Sequence, residues 1–346
     1  MGEQASSKPE TLRPGDPMEE WDRFVDASPQ GCIFCKSWWL EAVAPGGYEI
    51  LVLRKGGRIA AGMPLVRYRK LGLEAVHMPQ LTQTLGPLLA PPASENYEKR
   101  LSAEMDLLAE LIAAIPRVAH FNTFCHYTLT NWLPFYWAGH QQTTRYTYAI
   151  EDLSDLDAVF AAFAHSKRKN IKKAEQAVTV REDMPLEDFY RHHETTMRKQ
   201  GEAISYSLDL FRRIHEATTS RGAGKTWYAV GEDGVVQSAI FVIFDPKSAY
   251  YLISTIDPAF RNSGSATLLV RDAIQYVASR TRRFDFEGSM VQGVEHSFRK
   301  FGAVQTPYFH ITRNNLPLWA RAGWALRSAW TRWRHRPPRT GERQED

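Results

Sequence analysis

The sequence predicts an α/β protein with mixed sheets, made of two tandem copies of one unit. Three observations carry this. First, a glycine-turned hairpin occurs twice: residues 48–53, the turn Lys55-Gly56-Gly57-Arg58 and 59–66, then 227–230, the turn Glu232-Asp233-Gly234 and 235–244. Each copy is preceded by helical sequence and followed by apolar strand sequence, as in an internal duplication. Second, 346 residues suit about two domains. Third, the β-rich run 249–256 leads through a small-residue turn into a helical segment, 267–280, and a second strand, 284–287.

The first unit spans about 18–142 and the second about 145–313. Residues 1–17 are polar, contain proline and read as a disordered lead-in. Residues 314–346 form a basic, tryptophan-rich tail. A formal net charge of +4 is modest, but the basic residues concentrate at 167–173 and 321–343. No run approaches the roughly 18 apolar residues of a membrane-spanning helix, and the N-terminus has no apolar signal-peptide core. Three cysteines make a disulfide framework an unsuitable reading and fit a reducing, cytoplasmic setting. Cys32-Ile33-Phe34-Cys35 has metal or redox spacing, with Cys125-His126 as distant partners. The flanking Trp38, Trp39 and Leu40 instead make it the start of a packed helix.

The turn between 256 and the second helix is the most informative feature of the chain. Helix N-termini leave their first N–H groups without partners, and the dipole favours negative charge there. Gly264 and Ala266 leave room for an anion, Arg261 adds a fixed positive charge, and Asn262, Ser263 and Ser265 complete the loop. The corresponding part of the first unit, 78–87, bears prolines and lacks a basic residue, so a donor site belongs to the second unit. Between the units, 152–178 reads as helical. Ile171, Ala174 and Val178 lie on one side, and Arg168, Lys169, Lys172 and Lys173 on the other. The basic side is either a solvated face or a phosphate-binding ridge.

The motif Arg261-x-x-Gly264-x-Ala266 resembles the loop with which GNAT acyltransferases hold the pyrophosphate of coenzyme A. Residues 166–174 resemble the helix that opens the second domain of FemABX-like and BioF-like proteins, a tandem-GNAT superfamily. Residues 284–289 and 296–303 are similar to further segments of the same superfamily. The resemblance implies two GNAT-like domains and transfer of an acyl or aminoacyl group to an amine. Some relatives take acyl thioesters and others aminoacyl-tRNA. The family's lysine in a Phe-Lys-x-x-Phe-Gly pattern falls here on Phe298-Arg299-Lys300-Phe301-Gly302, one residue shorter. Arg299 and Lys300 therefore both stand as candidates for its cationic role, with Arg168 and Lys172 as further acceptor- or phosphate-binding groups.

Acyl transfer to an amine needs a neutral nucleophile, a stabilised oxyanion and a protonated leaving group. Glu287 is the candidate base. Alternation puts Asp285 on its face, with Phe284 and Phe286 on the other. The two carboxylates serve either catalysis or ion pairs with Arg282, Arg283 or Arg299. Tyr251 is either a core aromatic or the proton donor to the leaving thiolate. No metal motif, P-loop or nucleophile elbow occurs, so direct transfer without a metal or a covalent intermediate is expected.

In the tail, Trp319, Trp324, Trp330 and Trp333 interleave with Arg321, Arg327, Arg332 and Arg334. This is the pattern of a helix in a membrane interface, or of a last helix docked on the domains. The sequence thus predicts a cytoplasmic, membrane-peripheral N-acyltransferase. Its donor is a thioester of coenzyme A or acyl carrier protein, and its acceptor an amine, on a lipid or lipid-linked precursor if the tail binds membrane. A tRNA-dependent aminoacyltransferase of cell-wall or natural-product precursors is the alternative, and a non-catalytic scaffold the third reading.

Overall fold

The structure, a computed structural model, describes residues 9–288 and 290–317. The first part of the chain forms β1 (Glu10–Leu12), α1 (Glu19–Ala27), α2 (Ser37–Val43), β2 (Tyr48–Lys55), β3 (Arg58–Lys70), β4 (Leu73–Val76), β5 (Leu88–Leu89), α3 (Tyr97–Ala113), β6 (His120–Phe124), α4 (Leu133–Trp137) and β7 (Gln141–Ile150). The second part forms α5 (Leu156–Ala161), α6 (His165–Glu175), β8 (Val178–Arg181), α7 (Leu186–Lys199), α8 (Leu208–Thr219), β9 (Gly224–Gly231), β10 (Val236–Phe244), β11 (Ser248–Ile256), α9 (Ser265–Val277), β12 (Arg283–Asp285), α10 (Gln292–Phe298) and β13 (Val304–Asn314).

Both expected hairpins are present. β2 and β3 meet through Gly56 and Gly57 at φ 58° and 77°, and β9 and β10 through Gly234 at φ 78°. Positive φ at these positions favours glycine and turns the strands with their natural twist. Each unit then makes one parallel strand pair across a helix: β4 with β6 across α3, and β11 with β12 across α9. The remaining strand pairs described are antiparallel, so the mixed sheet and the duplication are both visible.

The described strands join into one 13-stranded sheet in the order β1-β2-β3-β4-β6-β13-β7-β12-β11-β10-β9-β8, with β5 on β3. The units exchange their last strands. β7, from the end of the first unit, pairs with β12 of the second, and β13, from the end of the second, pairs with β6 of the first. β7 and β13 pair with each other from Val304↔Ala149 to Thr312↔Gln141. One apolar cluster also spans both units, joining Trp21, Phe34 and Trp39 to Phe189, Phe211, Phe241 and Tyr250.

Two local expectations are corrected. Residues 10–12, inside the presumed disordered lead-in, form an edge strand on β2, held by an Arg54–Glu10 ion pair at 2.9 Å. The helix expected over 152–178 is broken into α5 and α6. Arg168 caps the end of α5 by donating to the carbonyls of Ala161 and Phe163 at 2.6 Å. The break packs on Gly302, where a Cβ would stand 2.8 Å from that of Ala162. As expected, Ile171 and Ala174 are buried while Arg168, Lys169, Lys172 and Lys173 are exposed. The tryptophan-rich tail from residue 318 on lies outside the described residues.

The exchange yields a test. A chain divided between residues 153 and 154 leaves each half without a strand that its sheet requires. Each half expressed alone is expected to be insoluble or unfolded by circular dichroism, and the two co-expressed to elute as one folded complex. Two halves that fold independently and fail to associate would contradict the exchange.

Candidate active site

β11 and β12 run side by side for only three pairs, ending at Tyr250↔Asp285. Beyond them β11 continues to Ile256, while the partner chain turns away, Phe286 donating its N–H to Tyr148 O at 2.9 Å. Glu287 and Gly288 follow at φ 60° and 63°. A Cβ on Gly288 would meet Tyr146 O at 2.0 Å, so glycine is required there by both space and φ. Glu287 has no such freedom, and a left-handed conformation costs it about 1 kcal/mol or more. It is held there by its N–H, which donates to Asp285 Oδ1 at 2.7 Å. The result is a wedge between two parallel strands with two carboxyl groups at its apex.

The expected faces of Phe284, Phe286 and Asp285 hold, whereas Glu287 lies past the end of β12 in a left-handed conformation that alternation does not place. Phe284 and Phe286 lie in the core with Leu268, Val270 and Ile171. Asp285, fully buried, faces the first unit instead. Its Oδ1 also accepts from the Thr147 hydroxyl and from Gln83 Nε2, the latter at 3.2 Å. Gln83 belongs to the loop that replaces, in the first unit, the turn before α9, and Thr147 to the exchanged strand β7. The same loop ties down Trp39 through Thr82, 3.0 Å, and Cys32 through Thr84, 3.5 Å. Asp285 Oδ2 and Glu287 Oε1 are buried without a hydrogen-bond partner among the described residues. Burial raises the Asp285 carboxyl above its ordinary range. Burial, then the charges of Asp285 and Cys32, push Glu287 well above it. Of the arginines considered as partners, Arg283 is ion-paired with Glu151 and Arg299 with Glu295.

The opposite face carries the other candidates. Tyr251 packs its ring against Phe284, Phe286 and Phe298, with centroids 5.9–6.4 Å apart, and burial pushes its hydroxyl up to about 12. Arg299 lies at the surface, 2.6 Å from His296 Nδ1. Lys300 accepts at its carbonyl from Ala164 N, 2.8 Å. The buried cation here is Lys167, whose Nζ donates to Ser297 Oγ at 2.9 Å and sits 3.9 Å above the Phe301 ring. Burial, then the Lys300 charge, lowers its pKa to about 8. Arg168 is spent on the α5 cap, and Lys172 is exposed.

The turn before α9 is partly occupied by its own surroundings. Arg261 donates to Gln200 Oε1 at 2.6 Å, and Asn262 O accepts from Lys173 Nζ at 2.8 Å. Ser263 Oγ accepts from Ser265 N at 3.2 Å and donates to Ser265 Oγ at 2.9 Å. Gly264, at φ 87°, has its open side filled: a Cβ would stand 2.3 Å from Asn170 O. The glycine thus lets α6 approach the turn. Ser265 and Ala266 begin α9, and Lys173 of α6 stands beside the turn. Among the described residues no cluster of three or more His, Cys, Asp or Glu could hold a metal ion, and no helix is long and apolar enough to cross a membrane.

A splayed parallel pair, a crossover helix with a small-residue turn at its start and a polar apex between the strands give the second unit a GNAT-type fold, and the first unit repeats the parallel pair and crossover helix. Residues 161–296 match the family of the acetyltransferase (GNAT) domain. Among solved structures, FemX superposes with a TM-score of 0.67 at 14% identity, covering 87% of this chain and 96% of that one. A tandem GNAT protein from the clavulanic acid biosynthesis pathway gives 0.53 at 13%, over 89% and 99%. L-PGS from Bacillus licheniformis gives 0.53 at 12%, over 91% and 97%. No curated protein shows significant sequence similarity to the chain. The chain therefore carries an acetyltransferase (GNAT) domain match at 161–296 and has the tandem GNAT fold, similar to FemX in architecture.

The carboxyl pair fixes a pH dependence. Both groups hold their protons more tightly folded than unfolded, so between the unfolded values near 4 and the raised folded ones the native state binds more protons. Stability falls as pH rises through that window. Glu287→Gln removes the Glu287 share of this loss. By urea denaturation it is expected to match the wild type at low pH and to exceed it at pH 8, by roughly 1–3 kcal/mol for one buried unsatisfied group. A variant less stable than wild type at pH 8 would make Glu287 a structural partner instead.

Proposed function

We propose that the protein is an N-acyltransferase that moves an acyl group from a thioester, on coenzyme A or an acyl carrier protein, directly to an amine. The observation that carries this reading is the pair of buried carboxyl oxygens, Asp285 Oδ2 and Glu287 Oε1, without a donor among the described residues. A buried acceptor left unmade costs about 1–3 kcal/mol, and an amine has the hydrogens that satisfy both. The attacking nitrogen binds at the apex on the Asp285 face. As the N–C bond forms and the C–S bond breaks, the amine proton passes to the ionised form of Glu287, whose raised pKa makes it a stronger base than an ordinary carboxylate. The unpaired edge of β11 beyond Tyr250 offers backbone N–H groups to the carbonyl oxygen. Lys167, on the other face, supplies positive charge and a proton for the departing sulfur. The donor phosphates rest on the 261–266 turn, beside Lys173.

Purified protein incubated with labelled acyl-CoA, and separately with charged tRNA, tests the donor. Acyl-CoA is expected to bind and react. Glu287→Gln should then lower turnover by about 10²–10⁴-fold with little change in donor affinity, and Arg261→Ala should weaken donor binding. Gly264 is unsuited to this test, because any side chain collides with Asn170. A second reading, transfer from aminoacyl-tRNA, is favoured by the exposed ridge of Lys169, Lys172 and Lys173 beside the turn. Turnover with charged tRNA and none with acyl-CoA would establish it in place of the first.

We place the acceptor on a lipid or lipid-linked precursor at the cytoplasmic face of the membrane, on the sequence of 316–336 alone. Flanking arginines add roughly 1 kcal/mol each near an anionic surface. Deleting residues 318–346 should abolish co-sedimentation with anionic vesicles and leave donor binding intact. A truncated protein that aggregates instead would assign the tryptophans to the core.

A further inference from the structure

Two thiols face each other behind the carboxyl pair. Cys32 and Cys35 flank the single helical turn Ile33–Cys35, with their sulfurs 3.9 Å apart and both residues buried. Cys35 N donates to Cys32 O at 3.0 Å. An i to i+3 bond of this kind keeps the α-carbons within about 7 Å, close to the span of roughly 4.4–6.8 Å that a disulfide bridges. Side-chain rotation alone has to bring the sulfurs to bonding distance.

Burial does not seal the pair. A cleft of about 80 Å³, lined by Val25, Gly31, Cys32, Asp245, Pro246 and Lys247 among others, reaches Cys32. A water occupies about 30 Å³, so the cleft admits a molecule of peroxide size and excludes a glutathione-sized disulfide. Lys247 stands in it as a fixed cation, donating to the carbonyls of Val25, Ser28 and Gly31 at 3.1, 2.7 and 3.0 Å. Asp245 opposes it, but its carboxylate already accepts from the N–H groups of Ile33, Lys247 and Ser248. The pair is asymmetric. For Cys32, burial works against the thiolate, but hydrogen bonds from Cys35 and Thr84 outweigh it and lower the pKa. For Cys35, the Cys32 sulfur, then burial, raises it well above the ordinary value. A cysteine that lines a cleft and ionises first, with a protonated neighbour in contact, supplies the parts of an attacking and a resolving cysteine.

We infer that Cys32 and Cys35 form a dithiol that small hydroperoxides oxidise to an intramolecular disulfide. The Cys32 thiolate attacks one peroxide oxygen, the O–O bond breaks, and hydroxide leaves, taking a proton to become water. The resulting sulfenic acid is attacked by Cys35, which forms the S–S bond and releases a second water. In sum two thiols and one hydrogen peroxide give one disulfide and two waters. Closing the bond draws Cys32 away from Thr84, whose neighbour Gln83 holds Asp285, so the oxidised protein carries a looser carboxyl pair. The chemistry at the sulfurs is independent of the reaction proposed above.

The test uses full-length protein, reduced, freed of reductant and exposed to hydrogen peroxide. The intact mass is expected to fall by two hydrogens, with one alkylatable thiol left of three under denaturing conditions, and dithiothreitol should restore both. Cys125, buried with its thiol pushed up in pKa by burial, is the internal control and should be the thiol that remains. Cys35→Ser should stop at a sulfenic acid trapped by dimedone, and Cys32→Ser should not react. Thr84→Val, which keeps both thiols, should slow the first step several-fold. Three free thiols after peroxide, a bridge involving Cys125, or equal reactivity of the two serine variants would overturn the inference, and the first two need no variant to fold.

Discussion

The antiparallel pairing of β7 with β13 is the constraint on which the rest of the molecule depends. It joins nine residue pairs from two ends of the chain, 141–149 and 304–312. Each of these strands closes the sheet of the other unit. Without β7, β12 would be an open edge and Asp285 would lose Thr147. Without β13, β6 would lose five of its pairings. Because the exchange is reciprocal, neither unit is a complete sheet by itself, although each has its own parallel pair and crossover helix. Asp245 and Lys247, from the β10–β11 turn, fasten the same junction by hydrogen bonds to the 25–33 segment of the first unit.

That arrangement explains what the sequence discloses and what it hides. Hairpins, crossover helices and the parallel pair at 249–285 are local patterns, and each is legible in alternation and turn chemistry. So is the face of Asp285, because strand parity needs no knowledge of neighbours. The strand exchange is not legible: β7 and β13 have ordinary strand sequences, and nothing in them names a partner more than 150 residues away. Gln83 and Thr147 were missed for this reason, each reaching Asp285 of the second unit from the first. Lys167 was hidden inside a run of basic residues that reads as one solvated ridge. Only the position of the helix shows that one of its lysines turns inward onto Phe301. Arg168 was misread by the same pattern, since a helix cap depends on where α5 ends.

The carboxyl pair illustrates a cost that a purely structural site would not carry. Two adjacent acids, each with a buried oxygen that no described residue satisfies, oppose folding at neutral pH. Glu287 adds backbone strain, since a non-glycine residue at φ 60° persists only where its surroundings over-determine it. Here they do so through the Asp285 carboxylate and through Gly288, clamped against β7. Strain and unsatisfied acceptors at one position are the signature of a site completed by a ligand. An amine completes this one better than an anion, which two acids would repel.

In the proposed reaction the wedge separates the two substrates. Parallel pairing ends at Tyr250 and Asp285, and the faces of the sheet are already assigned there. Asp285, Gln83 and Cys32 stand toward the first unit. Tyr251, Phe286, Phe298 and Lys167 stand toward α6, α9 and α10. A donor lying along the turn before α9 and an acceptor held by the carboxyls therefore approach the gap from opposite sides. They meet only where the strands part. Such a geometry needs no covalent relay, because the nucleophile and the acyl carbon share one opening. Where the second unit has its basic turn, the first has the 80–86 segment, and this is the wall that sets Asp285 in position through Gln83.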